Sequence, residues 1–223
     1  MNPRRRGCED RGVYRGLAAA VALAAAMATA CSGSPHKTPQ PVDNVALHGA
    51  KPETSQPRPD FTLTDTAGQS YDFGKRTRGK VTLLYFGYTN CPDECPTSMA
   101  DVAAALRSVP SAVAAQVTVV FATTDPWRDN AKVVRAWLDR FHPPAPFVGL
   151  TGSPGEVAGA ETTMGMPIST REPRAKGQKP GQYSVSHFAA VIVYGRDDRL
   201  ATLYPSGVVP ADIAADLKVL VKG

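Results

Sequence analysis

The sequence predicts an α/β sandwich around a mixed central sheet. Three observations support it. Strand-like runs alternate with helical stretches, two of those runs are apolar almost throughout, and the chain closes with an antiparallel strand pair and a helix.

The elements follow in order. Phe61 to Thr64 reads as a short strand with a turn at Ala67-Gly68, and Val81 to Phe86 as a central strand covered on both faces. A helix is expected from Pro96 to about Val109, with Met99, Val102, Ala103 and Leu106 as its apolar stripe. Val117 to Ala122 is the next central strand. Asp129 to Phe141 is the next helix, burying Val133, Val134, Trp137 and Leu138, and Phe147 to Leu150 returns to strand. Ser153 to about Met164 is a weaker, glycine-interrupted helix, followed by a polar, Gly/Pro-rich loop from Arg171 to Gln182. Ser186 to Tyr194 and Arg199 to Tyr204 pair across Gly195-Arg196-Asp197-Asp198, and Pro210 to Val221 is the closing helix. This order is the thioredoxin-like plan.

The predicted domain occupies residues 58–223. Ahead of it, residues 1–30 carry Arg4, Arg5, Arg6, Arg11 and Arg15 and then an alanine-rich run from Leu17 to Ala30, the layout of a secretory signal. That run is shorter than the roughly 20 apolar residues a spanning helix needs. The segment ends Met27-Ala28-Thr29-Ala30-Cys31, which resembles a lipoprotein cleavage site, although Ala28 stands where leucine is usual. Cys31 is therefore the expected lipidation site, with plain secretion as the alternative. Residues 31–57, rich in Pro, Ser, Thr, Gln and Lys, read as a flexible tether reaching about 30 Å from the anchor, with His36 and His48 as solvated linker histidines. The protein is expected at the outer face of the cytoplasmic membrane, as a monomer held by a lipid anchor.

The formal net charge is +5, from 25 basic and 20 acidic residues. The signal's five arginines against Glu9 and Asp10 account for +3, leaving 20 basic and 18 acidic residues, or +2. That balance gives no ground for nucleic-acid binding.

Of the four cysteines, Cys8 lies in the signal and Cys31 would take the lipid, so only Cys91 and Cys95 remain for the domain. Two nearby thiols in an oxidising compartment point to a disulfide, a redox couple or a metal site. Pro96 is expected to start the helix and to leave Cys95 near its N-cap, where the unpaired N–H groups should lower that thiol below the ordinary value of about 8.5. Three residues separate the pair, whereas thioredoxin-type oxidoreductases usually carry two, and the wider loop favours chelation. Soft thiolates select Cu(I), Zn(II) or iron–sulfur clusters; a cluster would want four cysteines, which leaves copper or zinc. His187, beside an apolar strand that the fold should bring towards the thiol loop, is the candidate third donor, although a lone histidine there is more often simply packed.

Several neighbours have blander readings. Asp93 and Glu94 add negative potential between the thiols or are solvated loop acids. Asp125 supports the site or, preferably, caps the following helix. Met164 and Met166 offer soft sulfur but are better read as core filling.

The run Tyr85-Phe86-Gly87-Tyr88-Thr89 followed by Cys91-Pro92-Asp93-Glu94-Cys95-Pro96, the segment Thr124-Asp125-Pro126-Trp127-Arg128-Asp129, and His187 together resemble the Sco (SenC) family. The resemblance covers roughly residues 59–220. It implies a membrane-tethered copper chaperone in which Cys91, Cys95 and His187 bind one ion, as Cu(I) or Cu(II), for delivery to an oxidase subunit, at the binuclear copper site of cytochrome c oxidase. This chain departs from the family at Ser186, where aspartate usually precedes the histidine, and at Phe188. A second expectation is a thiol–disulfide reductase that uses Cys91 and Cys95 as a redox-active pair to keep the oxidase cysteines reduced. A peroxiredoxin-like peroxidase lacks its Thr-x-x-Cys arrangement here, since Tyr88 stands three residues before Cys91. Zinc-dependent hydrolysis finds no positioned general base.

Overall fold

The computed structural model describes residues 46–173, 176 and 182–223. Cys8, Cys31 and His36, with the expected signal and the first part of the tether, lie outside the described residues.

Among the described residues, seven strands form the main sheet: β1 (Thr62–Asp65), β2 (Ser70–Asp72), β3 (Val81–Gly87), β4 (Val117–Thr123), β5 (Val148–Thr151), β8 (Ala190–Tyr194) and β9 (Leu200–Pro205). Their order is β2-β1-β5-β4-β3-β8-β9, with β3, β4 and β5 mutually parallel and the remaining pairs antiparallel. The α/β thioredoxin-like sandwich with a mixed sheet is therefore the fold. All seven residues of β3 are buried, because successive side chains alternate between two covered faces. Val81, Leu83 and Tyr85 join one core cluster with α2 (Glu94–Ser108), α4 (Ala131–Asp139) and α6 (Pro210–Leu220). Leu84 and Phe86 join the other, with Phe73 of α1 (Phe73–Thr77) and Val157 and Ala160 of α5 (Pro154–Thr163). Met164 and Met166 pack against this second cluster, as core filling predicts.

Four expectations need correction. The helix after the thiols begins at Glu94, so Cys95 lies inside its first turn and Asp93 occupies the N-cap without a side-chain cap. Pro96 does not delay the start, because a first-turn residue has no intrahelical partner for its N–H and proline loses nothing there. Asp125 does not cap α4; the Asn130 side chain does, accepting from the Val133 N–H at 3.1 Å. The strand expected over Ser186 to Tyr194 is interrupted. Val185–Ser186 (β7) pairs with Thr170–Arg171 (β6) in a separate two-stranded sheet, and residues 187–189 carry the chain across to β8. Finally, α1 and α3 (Ser111–Ala114) are additional helices, too short to show a period.

The described part of the expected tether, residues 46–57, is not a solvated linker. Ala50 and Leu203 exchange backbone hydrogen bonds at 2.7 and 3.0 Å, and Leu200 donates to Gln56 at 2.8 Å. This strap meets the outer edge of β9, whose backbone groups would otherwise lack partners. Gly49 permits the contact, since a Cβ there would lie 2.3 Å from Thr202 Oγ1 and 2.7 Å from the Leu203 carbonyl oxygen. Nor is His48 a solvated linker residue: its Nδ1 lies 2.7 Å from the buried Asp216 carboxylate. Among the described residues, no helix is long and apolar enough to cross a membrane.

Candidate metal centre

β3 delivers the chain to the thiol loop through Gly87, where a Cβ would stand 2.6 Å from Tyr85 Cε1 and 2.9 Å from Cys95 Sγ. Glycine thus lets the sulfur lie against the strand. The loop turns tightly, with the Cys91 N–H donating to the Tyr88 carbonyl at 3.1 Å. Its position is set from the loop after β4: the fully buried Asp129 carboxylate accepts from the Thr89 N–H at 2.8 Å, the Thr89 hydroxyl at 2.6 Å and the Thr123 hydroxyl at 2.8 Å. Burial nonetheless raises Asp129 above the ordinary carboxylate range, against the pull of those donors.

His187 arrives from the other side. Its ring meets Tyr85 and Tyr88 edge-on, at centroid distances of 6.0 and 5.6 Å. The preceding segment is clamped: Tyr183 donates its hydroxyl to Asp125 at 2.7 Å, Arg128 pairs with Asp125 through Nε, and Arg128 Nη1 donates to the Tyr183 carbonyl at 3.2 Å. Asp125 is therefore a buried anchor for this clamp.

Cys91 Sγ, Cys95 Sγ and a His187 ring nitrogen all lie within 4.8 Å of one another, with Cys95 Sγ and His187 Nε2 at 3.5 Å. Ligand bonds of about 2.0 to 2.3 Å put donors on one ion roughly 3.5 to 4.5 Å apart, so this spacing fits a single shared cation with little closure. The donor set is two soft sulfurs and one imidazole, suited to copper or zinc. Among the described residues, His187 Nδ1 is buried without a hydrogen-bond partner. Ser186 cannot serve it, because its hydroxyl is engaged by Thr170 through contacts of 2.9 to 3.3 Å. The imidazole's second nitrogen thus has no acceptor among the described residues to fix its orientation. Met164 and Met166 are on the other core cluster, and Asp93 and Glu94 are exposed.

The two thiols, present as free cysteines, have opposite acidities. Cys91 falls to about 3, chiefly through the hydrogen bond from the Cys95 thiol, opposed by burial and helped by His187 and backbone N–H groups. Cys95 is pushed far up, first by burial and then by donating to Cys91. The helix N-terminus does favour a thiolate, but that of Cys91, whose sulfur accepts from the Cys95 N–H at 3.4 Å. The expectation that Cys95 is the acidic thiol is therefore reversed, because Cys95 is buried within the first turn while Cys91 caps it.

Sequence reasoning missed the clamp partners Thr89 and Tyr183 and the roles of Arg128 and Asp129. The quoted Asp125 to Asp129 segment held the signal: two acids flanking an arginine, directly after a buried strand.

The SCO1/SenC family model matches residues 49–222. SCO1 homolog 1 of Arabidopsis thaliana, a mitochondrial protein, is 42% identical over 83 residues, 37% of this chain; the match spans only 24% of that relative's length. Among solved structures, copper-bound ScoI of Bradyrhizobium japonicum is 32% identical with a TM-score of 0.62, covering 74% of this chain and 99% of that one. Apo Sco1 of Thermus thermophilus is 32% identical with a TM-score of 0.65, covering 78% of this chain and 97% of that one.

Proposed function

From the premise that the chain belongs to the SCO1/SenC family, we propose that it is an extracytoplasmic copper chaperone. Cys91, Cys95 and His187 bind one copper ion and pass it to an oxidase subunit, at the binuclear copper site of cytochrome c oxidase. The observation that carries this reading is the convergence of two sulfurs and one imidazole within 4.8 Å, in a chain 32% identical to a protein solved with copper bound. The chemistry agrees. Thiolates hold Cu(I), imidazole accommodates Cu(II), and a three-donor site leaves one face open to an incoming ligand. Cys91 is half-buried and Cys95 buried, so Cys91 is the sulfur a partner's thiolate would reach first.

In this reading residues 1–30 are a removed signal and Cys31 carries the lipid that holds the protein at the outer face of the membrane. Because residues 46–57 lie along β9, the stretch left to serve as a tether in this reading is residues 31–45.

Copper titration of the reduced protein tests the site. One Cu(I) per chain is expected, with binding lost in Cys91→Ala and Cys95→Ala and weakened in His187→Ala; unchanged binding in His187→Ala would reduce the site to two ligands. The reductase reading draws on a separate observation, the polarised thiol pair, in which an acidic Cys91 would attack a disulfide and Cys95 would resolve it. If His187→Ala loses copper binding yet keeps both reductase activity and oxidase assembly in cells, that second reading replaces the first.

A further inference from the structure

Beside the metal centre lies a stack of side chains whose outer members, Trp127 and Arg171, are not among its three donors. Trp127 is 52% exposed and belongs to neither core cluster. The Arg171 guanidinium lies 3.7 Å from the centre of its ring and 4.9 Å from that of Tyr183. Arg128 covers Tyr183 at 3.6 Å and approaches Tyr88 at 5.8 Å, and Tyr88 meets His187 edge-on. The stack therefore runs unbroken from a solvent-facing indole to the imidazole of the site.

Its charges are not equivalent. Arg128 is neutralised by Asp125. Arg171 is exposed and forms no ion pair among the described residues, so its positive charge faces solvent. Leaving half an indole in water costs hydrophobic free energy that burial would recover. Stacking holds the ring in place without covering it, and a ring already held loses little entropy when a partner arrives. Tryptophan and arginine are also the residues on which binding energy concentrates.

We propose that Trp127 and Arg171 form the platform on which the copper-receiving protein docks, placing a carboxylate on Arg171 and an apolar side chain on the Trp127 face. The inference rests on the transfer reading above and adds to it the face that is recognised. Asp93 and Glu94, exposed beside the thiols and in no ion pair among the described residues, are open to a base from the same partner. A partner that presents an acid and a base in this order is oriented over Cys91.

The test uses the reduced, metal-free soluble copper domain of the oxidase subunit from the same organism as probe. Binding is followed by its dissociation constant and by the indole N–H resonance of Trp127; copper transfer is followed separately by absorption. Trp127→Ala and Arg171→Glu should each weaken binding about tenfold or more, and Arg171→Glu should also flatten its salt dependence. Both should keep wild-type copper stoichiometry and absorption, which controls for folding. A lysine replacing an acidic residue on the probe should restore affinity to Arg171→Glu, an outcome that a purely structural arginine would not give. Wild-type affinity in both variants, or no binding by the wild-type protein, overturns the platform. So does a loss of binding confined to phosphatidylglycerol vesicles, which would make the face a lipid contact. If the variants weaken docking but wild-type protein moves no copper, the delivery reading fails and the platform stands.

Discussion

Two cysteines of identical chemistry behave oppositely because one caps a helix and the other is buried inside its first turn. Cys91, depressed to about 3, is a thiolate throughout the neutral range, whereas Cys95, raised by burial, stays protonated. Iodoacetamide should therefore alkylate Cys91 of the reduced protein at pH 5, where an ordinary thiol of pKa about 8.5 is nearly inert, and leave Cys95 unmodified in the peptide map. Equal labelling of both sulfurs would contradict the asymmetry. The same shift has a stability consequence. A group whose folded value is depressed stabilises above its unfolded pKa and loses that contribution as pH falls through the folded one. The margin of the apo protein over Cys91→Ser should grow as pH rises from about 3 to about 8.5 in denaturant titrations. Gly87 sets a steric limit at the same spot: a Cβ would press on Cys95 Sγ at 2.9 Å and Tyr85 at 2.6 Å. Gly87→Ala should accordingly weaken copper binding by displacing the sulfur while leaving the stoichiometry at one.

At the scale of elements, the loop between β4 and α4 holds both halves of the site. Asp129 fixes the thiol loop through Thr89, and Asp125 with Arg128 fixes the segment leading to His187 through Tyr183. Asp129→Ala would strand two hydroxyls and a backbone N–H, at a cost of about 3 kcal/mol, readable as a lower midpoint in denaturant and as faster exchange at Thr89. Tyr183→Phe removes one hydrogen bond, worth about 1 kcal/mol; it should weaken copper binding through His187 while thiol labelling is unchanged. The thiols and His187 were legible because each carries its own chemistry, and β3 and β4 because continuous apolar runs mark strands covered on both faces. The rest depended on distant partners. Nothing local shows that residues 187–189 leave one sheet for another, since that break is set by Thr170 and by β3. The start of α2 was misread because the restriction proline places on Cys95 was weighed above the tolerance of a helical first turn for a missing N–H. The clamp was hidden for the same reason: 58 positions separate Tyr183 from Asp125.

For the molecule as a whole, the boundary between tether and domain is decided by pairing geometry and not by composition. Residues 46–57 look like linker, rich in polar residues and proline, yet they meet the edge of β9 and are secured at His48. That imidazole faces Asp216 at 2.7 Å and Asp212 at 3.8 Å, and Asp216 is itself 1% exposed and accepts from the Tyr204 hydroxyl at 2.8 Å. The hydrogen bond to Asp216 and then its charge raise the His48 pKa above the ordinary 6.5. A group raised on folding contributes fully below its unfolded value and loses that contribution as pH rises through its folded one. The strap should therefore hold most firmly below the unfolded His48 value and loosen as pH rises through the folded one, releasing residues 46–57 from the edge of β9. Hydrogen exchange of the Ala50 amide, compared between about pH 5 and pH 8.5 after correction for the intrinsic rate, should show protection falling with pH in the wild-type protein. In His48→Gln the corrected protection should be lower in acid and flat across the range, because glutamine can donate to Asp216 but cannot gain a charge. Equal pH dependence in both proteins would mean that the β9 pairing alone secures the strap.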